Sequence, residues 1–384
     1  MRTRNRSRIL LAIGTRPEAI KMAPLVYALR RERSCQVLVC NTAQHRQMVD
    51  EVLELFNIKS DFDLDVMRHD QTIIYVQNTI LERFSLVIGK CRPDMVVVQG
   101  DTTTALTAAL AAFYQKVPVA HVEAGLRTFD KRNPFPEEIN RRVISVVGDL
   151  HFAPTETSRR HLLREGIKGD AIHVVGNTVV DALELMLKRL RGSAGRELRA
   201  KSLWPKKARY VVLVTAHRRE NWGEPMMELC AALKCLVRDN PEVVILWPVH
   251  PHPQVRKTVM GELAGIENIS LLDPVRYDEF VYLLNKAYLV VTDSGGIQEE
   301  AASLGKPVLV FRETTERPEV IKSGVGELVP CSREPLYKRI AAVLADKGRY
   351  ARRCRRSSVF GDGQAAKHIA RIMVAFLKEY RKHV

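Results

Sequence analysis

Short apolar runs alternate with amphipathic stretches along the whole chain. Apolar segments at 9–14, 37–41, 95–99, 117–122, 150–153 and 172–175 read as strands. Helical patterns at 17–31, 48–55, 103–114 and 139–147 fall between them. The second half repeats the rhythm, with strand candidates at 210–215, 243–248, 269–272, 288–292, 307–311 and 327–329. Such alternation predicts an α/β protein built on parallel sheets with helices on both faces. The rhythm breaks once, from Arg191-Gly-Ser-Ala-Gly195 to Trp204-Pro-Lys-Lys207, a stretch with the composition of a linker. We therefore expect two Rossmann-like doubly wound domains, 1–190 and 210–363, joined by a linker at 191–209. A last helix, 364–384, carries Ala366, Ile369, Ile372, Met373 and Phe376 on one face and is expected to cross back to the first domain. Open α/β sheets bind ligands at the carboxyl ends of their strands, so two facing sheets predict a site in the cleft between them.

The polar residues collect at those strand ends. Thr292-Asp-Ser-Gly-Gly-Ile-Gln-Glu-Glu300 joins an apolar strand to a helix. Unpaired N–H groups at such a helix start, with the positive end of the helix dipole behind them, bind phosphate. Glu300 lies one turn past Gly296, where a carboxylate can accept hydrogen bonds from ribose hydroxyls. Phosphate plus diol points to a nucleotide; a tight glycine turn with a solvated acidic helix start is the structural alternative. After the first strand, Thr15 can cap a helix with Pro17 in its first turn, while Arg16 and Lys21 place cations where only an anion makes them favourable. Asp101, after 95–99, suits either a helix cap or a catalyst. Glu123 ends a buried strand, a costly place for a carboxylate without a partner or a task. Glu137 stands in Pro134-Phe-Pro-Glu-Glu138 and could simply begin a helix. His217 ends another strand beside two arginines, which would hold it neutral.

Composition narrows the classes. The chain has 384 residues, too many for one ordinary core, with 46% hydrophobic and 27% charged residues, as in globular proteins. Its net charge of +16 favours anionic partners. The arginine clusters near both ends hold a single interleaved aromatic, Tyr350, too few for a base-stacking surface, so no nucleic-acid role is expected. Seven cysteines without a Cys-x-x-Cys pair suit a reduced, cytoplasmic protein. The apolar run at 9–13 is too short for a signal peptide, and no membrane insertion is expected. No P-loop is present, and Gly361-x-Gly363-x-x-Ala366 lacks the preceding strand of a dinucleotide fingerprint. His250-Pro-His252 with His217 makes a poor metal site, with prolines alongside and no carboxylate close in sequence.

Taken in order, Gly14-Thr-Arg-Pro-Glu-Ala-Ile-Lys-Met-Ala-Pro-Leu25, Gly100-Asp-Thr-Thr-Thr104, His121-Val-Glu-Ala-Gly-Leu-Arg127, Pro134-Phe-Pro-Glu-Glu138, His217-Arg-Arg-Glu220, Asp293 to Glu300 and Thr314-Thr-Glu-Arg-Pro318 resemble the non-hydrolysing UDP-N-acetylglucosamine 2-epimerases. The resemblance implies a glycosyltransferase-B-like fold and interconversion of UDP-GlcNAc and UDP-ManNAc for surface polysaccharides, without metal or cofactor, in an enzyme expected to be a homodimer. It assigns Asp101, Glu123 and Glu137 to proton transfer and charge stabilisation, without ranking them, and His217 to the diphosphate or its departure. Arg16, Lys21, Ser294, Gly295 and Gly296 would hold phosphates, Glu300 the ribose, Phe280 the uracil region and Arg317 the sugar side. Some bacterial members bind a second, activating UDP-GlcNAc, at positions matched here by Gln44, Gln47, Glu137, Arg218 and His250. Asp70 stands where that pattern has an arginine, and a reversed charge would weaken a diphosphate site. Gln99 replaces a histidine usual before Gly-Asp.

The chemistry explains the demand for acids. C2 of the sugar has no adjacent carbonyl, so its proton is not acidic in the intact substrate. Expulsion of UDP from C1 creates an oxocarbenium-like centre that acidifies C2–H, and loss of that proton gives a 2-acetamidoglucal. UDP then re-adds while a proton arrives on the opposite face. This route needs anchored diphosphate, a base, and an acid on the other face. Three other readings share some features: a glycosyltransferase of the same architecture, a 2-epimerase of a modified UDP-HexNAc, and a non-catalytic UDP-sugar sensor or basic nucleic-acid binder.

Overall fold

The structure is a computed structural model that describes residues 6–44, 46–68, 71–192, 199–205 and 208–383. His69 and Asp70, and the parts 193–198 and 206–207 of the expected linker, lie outside the described residues. The chain forms two compact units, one of residues 1–184 with 360–384 and one of residues 185–359.

The first unit holds a seven-stranded sheet in the order β3-β2-β1-β4-β5-β6-β7, parallel throughout. Its strands are β1 Ser7–Ile13, β2 Cys35–Asn41, β3 Phe62–Asp63, β4 Met95–Gln99, β5 Val119–Val122, β6 Leu150–Ala153 and β7 Ile172–Val174. The second unit holds β8 Tyr210–Thr215, β9 Val243–Pro248, β10 Ile269–Leu272, β11 Leu289–Thr292, β12 Val308–Phe311 and β13 Gly326–Val329, ordered β10-β9-β8-β11-β12-β13 and also parallel. Each run of apolar residues becomes a strand because helices cover both faces: β4, β5 and β6 are buried at every position. Each Val or Leu buried there contributes about 1.5–3 kcal/mol. Only β3, two residues long, has no expected counterpart, being too short to show a period.

Strand order reverses between β1 and β4 in the first sheet and between β8 and β11 in the second. In register, Gln99 pairs with Val122, so the residues that follow β4 and β5 emerge side by side. Thr292 pairs with Thr215 in the same way, and their hydroxyls bond at 2.7 Å. The last helix, Ala365–His383, packs on the helix Arg16–Arg31 within the first unit. Asp181 caps it, accepting from the Ala366 N–H at 2.9 Å. Ala366, Ile369 and Met373 are buried as their spacing predicts, joined by Ala370 and Leu377, whereas Ile372 and Phe376 are only half-covered. Gly361 and Gly363, both at positive φ, form a turn ahead of this helix. Among the described residues no helix is long and apolar enough to cross a membrane.

Candidate active site

In the first unit, the carboxyl ends of β1, β4 and β5 bring a compact set of charges together. Glu123 follows β5 with φ at 63°, a left-handed conformation that costs a non-glycine residue about 1–2 kcal/mol. Local strain of this kind persists where surrounding contacts enforce it, and it clusters at functional sites. Here the enforcing contacts are Lys21 and Gln99, which both donate to Glu123 Oε2. Lys21 and Glu123 form a buried ion pair. Lys21, expected among phosphate ligands, thus meets a carboxylate first. Gln99, at the position of the missing histidine, supplies an amide donor that cannot titrate.

Asp101 follows β4 and is held from the helix Glu137–Val147. Arg141 Nε donates to Asp101 Oδ2 at 2.7 Å and its Nη2 lies 2.5 Å from the same oxygen, while Asn140 Nδ2 donates to the Asp101 carbonyl at 2.8 Å. The capping role open to Asp101 belongs instead to Thr102, whose hydroxyl accepts from the Ala105 N–H at 3.0 Å. The Asp101 carboxylate is therefore released from local duty and remains about a quarter exposed, at 23%. Glu137 begins that helix and is half-buried, while its neighbour Glu138 is fully buried and accepts from the Thr128 and Phe129 N–H groups. The buried His121 meets the Gly100 carbonyl through its Nε2 at 2.7 Å. Burial, helped by His151 nearby, pushes the imidazole down to about 3, so it is neutral at pH 7. Arg127 is consumed structurally, bridging Glu165 at 2.7 Å and Ser145 at 2.9 Å.

Of the remaining positions expected in this unit, Arg16 opens the first helix and is half-exposed. Gln44 accepts from the Thr104 hydroxyl at 3.0 Å, and Gln47 is exposed on the helix Arg46–Leu55.

The second unit has its own concentration at the ends of β8 and β11. The helix Gly295–Leu304 starts at Ser294, whose side chain makes no capping bond. The first N–H groups of a helix have no partner within it. Gly295 leaves room for a close approach: a Cβ there would come within 2.3 Å of the Arg317 guanidinium. Arg317, expected on the sugar side, thus packs against the start of the helix Gly295–Leu304. Buried Glu299 holds it at 2.6 Å, and buried Glu316 lies 3.4 Å away and also binds Arg312 at 2.7 Å. Gly296 is half-exposed beside it. Glu300, one turn along, is oriented by the Tyr277 hydroxyl at 2.7 Å, and Phe280 is buried on the same helix as Tyr277, Tyr277–Lys286.

His217 is placed by a residue to which the motif reading gave no role. Asp293, fully buried, accepts from the His217 and Arg218 N–H groups, each at 2.9 Å, and from Asn221 Nδ2 at 3.0 Å. Its other oxygen lies 3.4 Å from His217 Nδ1. The His250 ring stacks on His217 with centroids 5.3 Å apart. Arg218 lies 3.4 Å from Glu316 and 3.7 Å from Glu220. Among the described residues no group of three His, Cys, Asp or Glu side chains could hold a metal ion. Glu18, Asp293, Arg141, Asn140 and Tyr277 are among the residues near these strand ends to which sequence reasoning gave no site role; each of them has a partner well separated in the chain.

Comparison with known proteins fits this geometry. A family profile described as UDP-N-acetylglucosamine 2-epimerase matches residues 27–374. A probable UDP-N-acetylglucosamine 2-epimerase of Ralstonia nicotianae is 48% identical over 371 residues, 96% of this chain and 99% of that protein. The Campylobacter jejuni UDP-N-acetylglucosamine 2-epimerase is 44% identical over 372 residues, 96% of this chain and 97% of its own. The crystal structure of the Neisseria meningitidis UDP-GlcNAc 2-epimerase bound to UDP-GlcNAc superposes with a TM-score of 0.93 at 42% identity, covering 96% of this chain and all of that one. The chain with the Lys21–Glu123 pair and the Ser294–Gly296 helix start therefore belongs to the UDP-N-acetylglucosamine 2-epimerase family of isomerases.

Proposed function

We propose that this protein interconverts UDP-GlcNAc and UDP-ManNAc by eliminating UDP to a 2-acetamidoglucal and re-adding it with inversion at C2. The observation that carries the reading is Glu123, held in a left-handed conformation at a strand end by two donors on one oxygen. Next to it along the sheet edge stands Asp101, relieved of helix capping by Thr102. Those two carboxylates, with Glu137, handle the C2 proton and the charge that develops at C1. General acid–base groups of this kind contribute about 10²–10⁴-fold each. Arg16 and Lys21 assist at the phosphates. In the second unit Ser294, Gly295 and Gly296 bind the diphosphate, with Arg317 reinforcing the helix start, Glu300 takes the ribose and Phe280 borders the uracil. His217, aimed by Asp293, contacts the departing diphosphate. Charge-assisted contacts of this type are worth about 1.5–3 kcal/mol each, which suits retention of free UDP while the glucal exists.

The test is incubation with UDP-GlcNAc in deuterated water without any acceptor, followed by mass and NMR analysis. Deuterium at C2 together with the manno isomer supports the epimerase. Unlabelled C2 with hydrolysed or transferred sugar would point to a transferase, and unchanged substrate to a sensor. A requirement for added nicotinamide would replace elimination by oxidation at a neighbouring carbon.

A homodimer accompanies this reading. Leu86, Phe113, Tyr114 and Val146 are large apolar side chains more than half exposed on three successive helices of the first unit. Gln115, at the end of the helix Thr103–Tyr114, donates to the Ser85 carbonyl on the preceding helix Ile73–Cys91. A second copy covering that face would remove the apolar area from water; sedimentation of Leu86→Lys and Val146→Glu should then show monomers. Free cysteines throughout the chain support a reducing, cytoplasmic setting.

A further inference from the structure

Glu18 lies in the first turn of the helix Arg16–Arg31 and is fully buried, although the reaction gives it no proton to carry. Its Oε2 accepts from the Gly14 N–H at 3.0 Å, the Thr15 N–H at 2.8 Å and the Thr15 hydroxyl at 2.8 Å. Those bonds alone would describe a helix-start glutamate folding back on its own cap. The other oxygen does something else. Oε1 accepts from the Thr102 hydroxyl at 2.6 Å, a residue 84 positions away. Thr102 in turn caps the helix Thr103–Tyr114 and directly follows Asp101. The two segments also touch behind the carboxylate: a Cβ on Gly14 would come within 2.1 Å of the Thr104 hydroxyl. Glu18 thus spans the point in the sheet where strand order reverses, with one oxygen on the loop after β1 and the other on the loop after β4.

Resting on the functional reading above, we propose that Glu18 is a positioning residue: its carboxyl group locks the Gly14–Thr15 segment that leads into Arg16 to the loop carrying Asp101 and so fixes Asp101 for catalysis. The group need not be charged to do this. Burial pushes the carboxyl up to about 7 against the four hydrogen bonds. A glutamine fits the same place, its oxygen accepting from Gly14 and Thr15 and its amide donating to Thr102. Alanine makes none of these bonds. Misplacing a reacting group by an ångström costs about 100-fold in rate.

The experiment measures kcat, KM for UDP-GlcNAc and C2 deuterium incorporation for wild type, Glu18→Gln, Glu18→Ala, Thr102→Ser and Thr102→Val, with thermal unfolding of each. We expect Glu18→Ala to lose about 100-fold in kcat and in deuterium incorporation, with KM changed less than about threefold. Glu18→Gln and Thr102→Ser should stay within about threefold of wild type. Should Glu18→Ala fail to fold, Thr102→Val reports the same link from its other end, and a selective fall in kcat is again expected. Wild-type kcat in Glu18→Ala or Thr102→Val, a loss confined to KM, or a Glu18→Gln as impaired as Glu18→Ala would each overturn the proposal. A wild-type protein that left UDP-GlcNAc unchanged would overturn the functional reading and this inference with it, whereas active wild type with indifferent variants removes the positioning role alone.

Discussion

Replacing Glu123 by glutamine preserves the shape of the side chain and deletes its charge, which makes it the sharpest perturbation available. The Lys21 and Glu123 side chains are 9% and 3% exposed. Deleting one partner leaves an ammonium with little water and no counter-charge, a change that costs about 3–5 kcal/mol in buried pairs. For a unit of this size each kcal/mol corresponds to about 2–4 °C, so Tm should fall by roughly 6–20 °C. Adding Lys21→Met removes the stranded charge with similar volume, and the double variant should recover to within about 1 kcal/mol of wild type. Turnover behaves differently. Measured well below its melting temperature, Glu123→Gln should lose about 10²–10⁴-fold in C2 deuterium incorporation, because no carboxylate remains at that strand end. Calorimetry and the exchange assay on the same preparations separate the two effects. An E123Q protein that melts with wild type and turns over normally would refute both the buried-pair energetics and the chemical role. A Tm that stays low in the double variant would refute the energetics alone.

Other expectations follow from individual contacts. Asp101→Asn and Glu137→Gln should each lose most activity, by about 10²-fold or more; because Arg141 keeps buried Glu138 3.6 Å away as a counter-charge, Asp101→Asn should cost less in Tm than Glu123→Gln, which a calorimetric and exchange comparison checks. His121 titrates near 6.5 when unfolded and is pushed down to about 3 when folded, so the unfolded chain binds the extra proton between those values. Its contribution to stability is complete above pH 6.5 and is lost as pH falls, at up to about 1.4 kcal/mol per pH unit; His121→Gln should flatten that part of the urea-unfolding profile. Tyr277→Phe removes the hydroxyl that orients Glu300 at 2.7 Å and should raise KM for UDP-GlcNAc several-fold, about the worth of one hydrogen bond, with kcat little changed. Steady-state rates should depend hyperbolically on UDP-GlcNAc, and strong sigmoidicity would show that Asp70 does not prevent activation by a second molecule.

The strands other than β3 were legible because each is built on a run of apolar residues, and several, such as 95–99 and 210–215, have the expected bounds. Asp101 and Glu123 stood out because each is a carboxylate just beyond such a run. What escaped was pairing. Lys21 finds Glu123 at a separation of 102 residues, Glu18 finds Thr102 at 84 and His217 finds Asp293 at 76, distances over which a linear pattern carries no information. Asp101 shows the local limit: it and Thr102 are both good caps, and only the folded helix reveals that the hydroxyl takes the task. Arg317 shows another, since its seat against Gly295 depends on a glycine whose reason is a neighbour 22 positions later rather than a turn.

Asp293 bonds to the backbone of the segment after β8 from the end of β11, while Asn221 extends the same tie to the Phe311 carbonyl at the end of β12. Three strand termini in that sheet are consequently stitched by one acid and one amide. A designer who wished to reshape this end of the sheet could not re-cut the His217 segment alone, because its amides answer to a carboxylate on another strand. New selectivity would have to be sought in side chains that hang from this framework, with Asp293 and Asn221 kept as the seam.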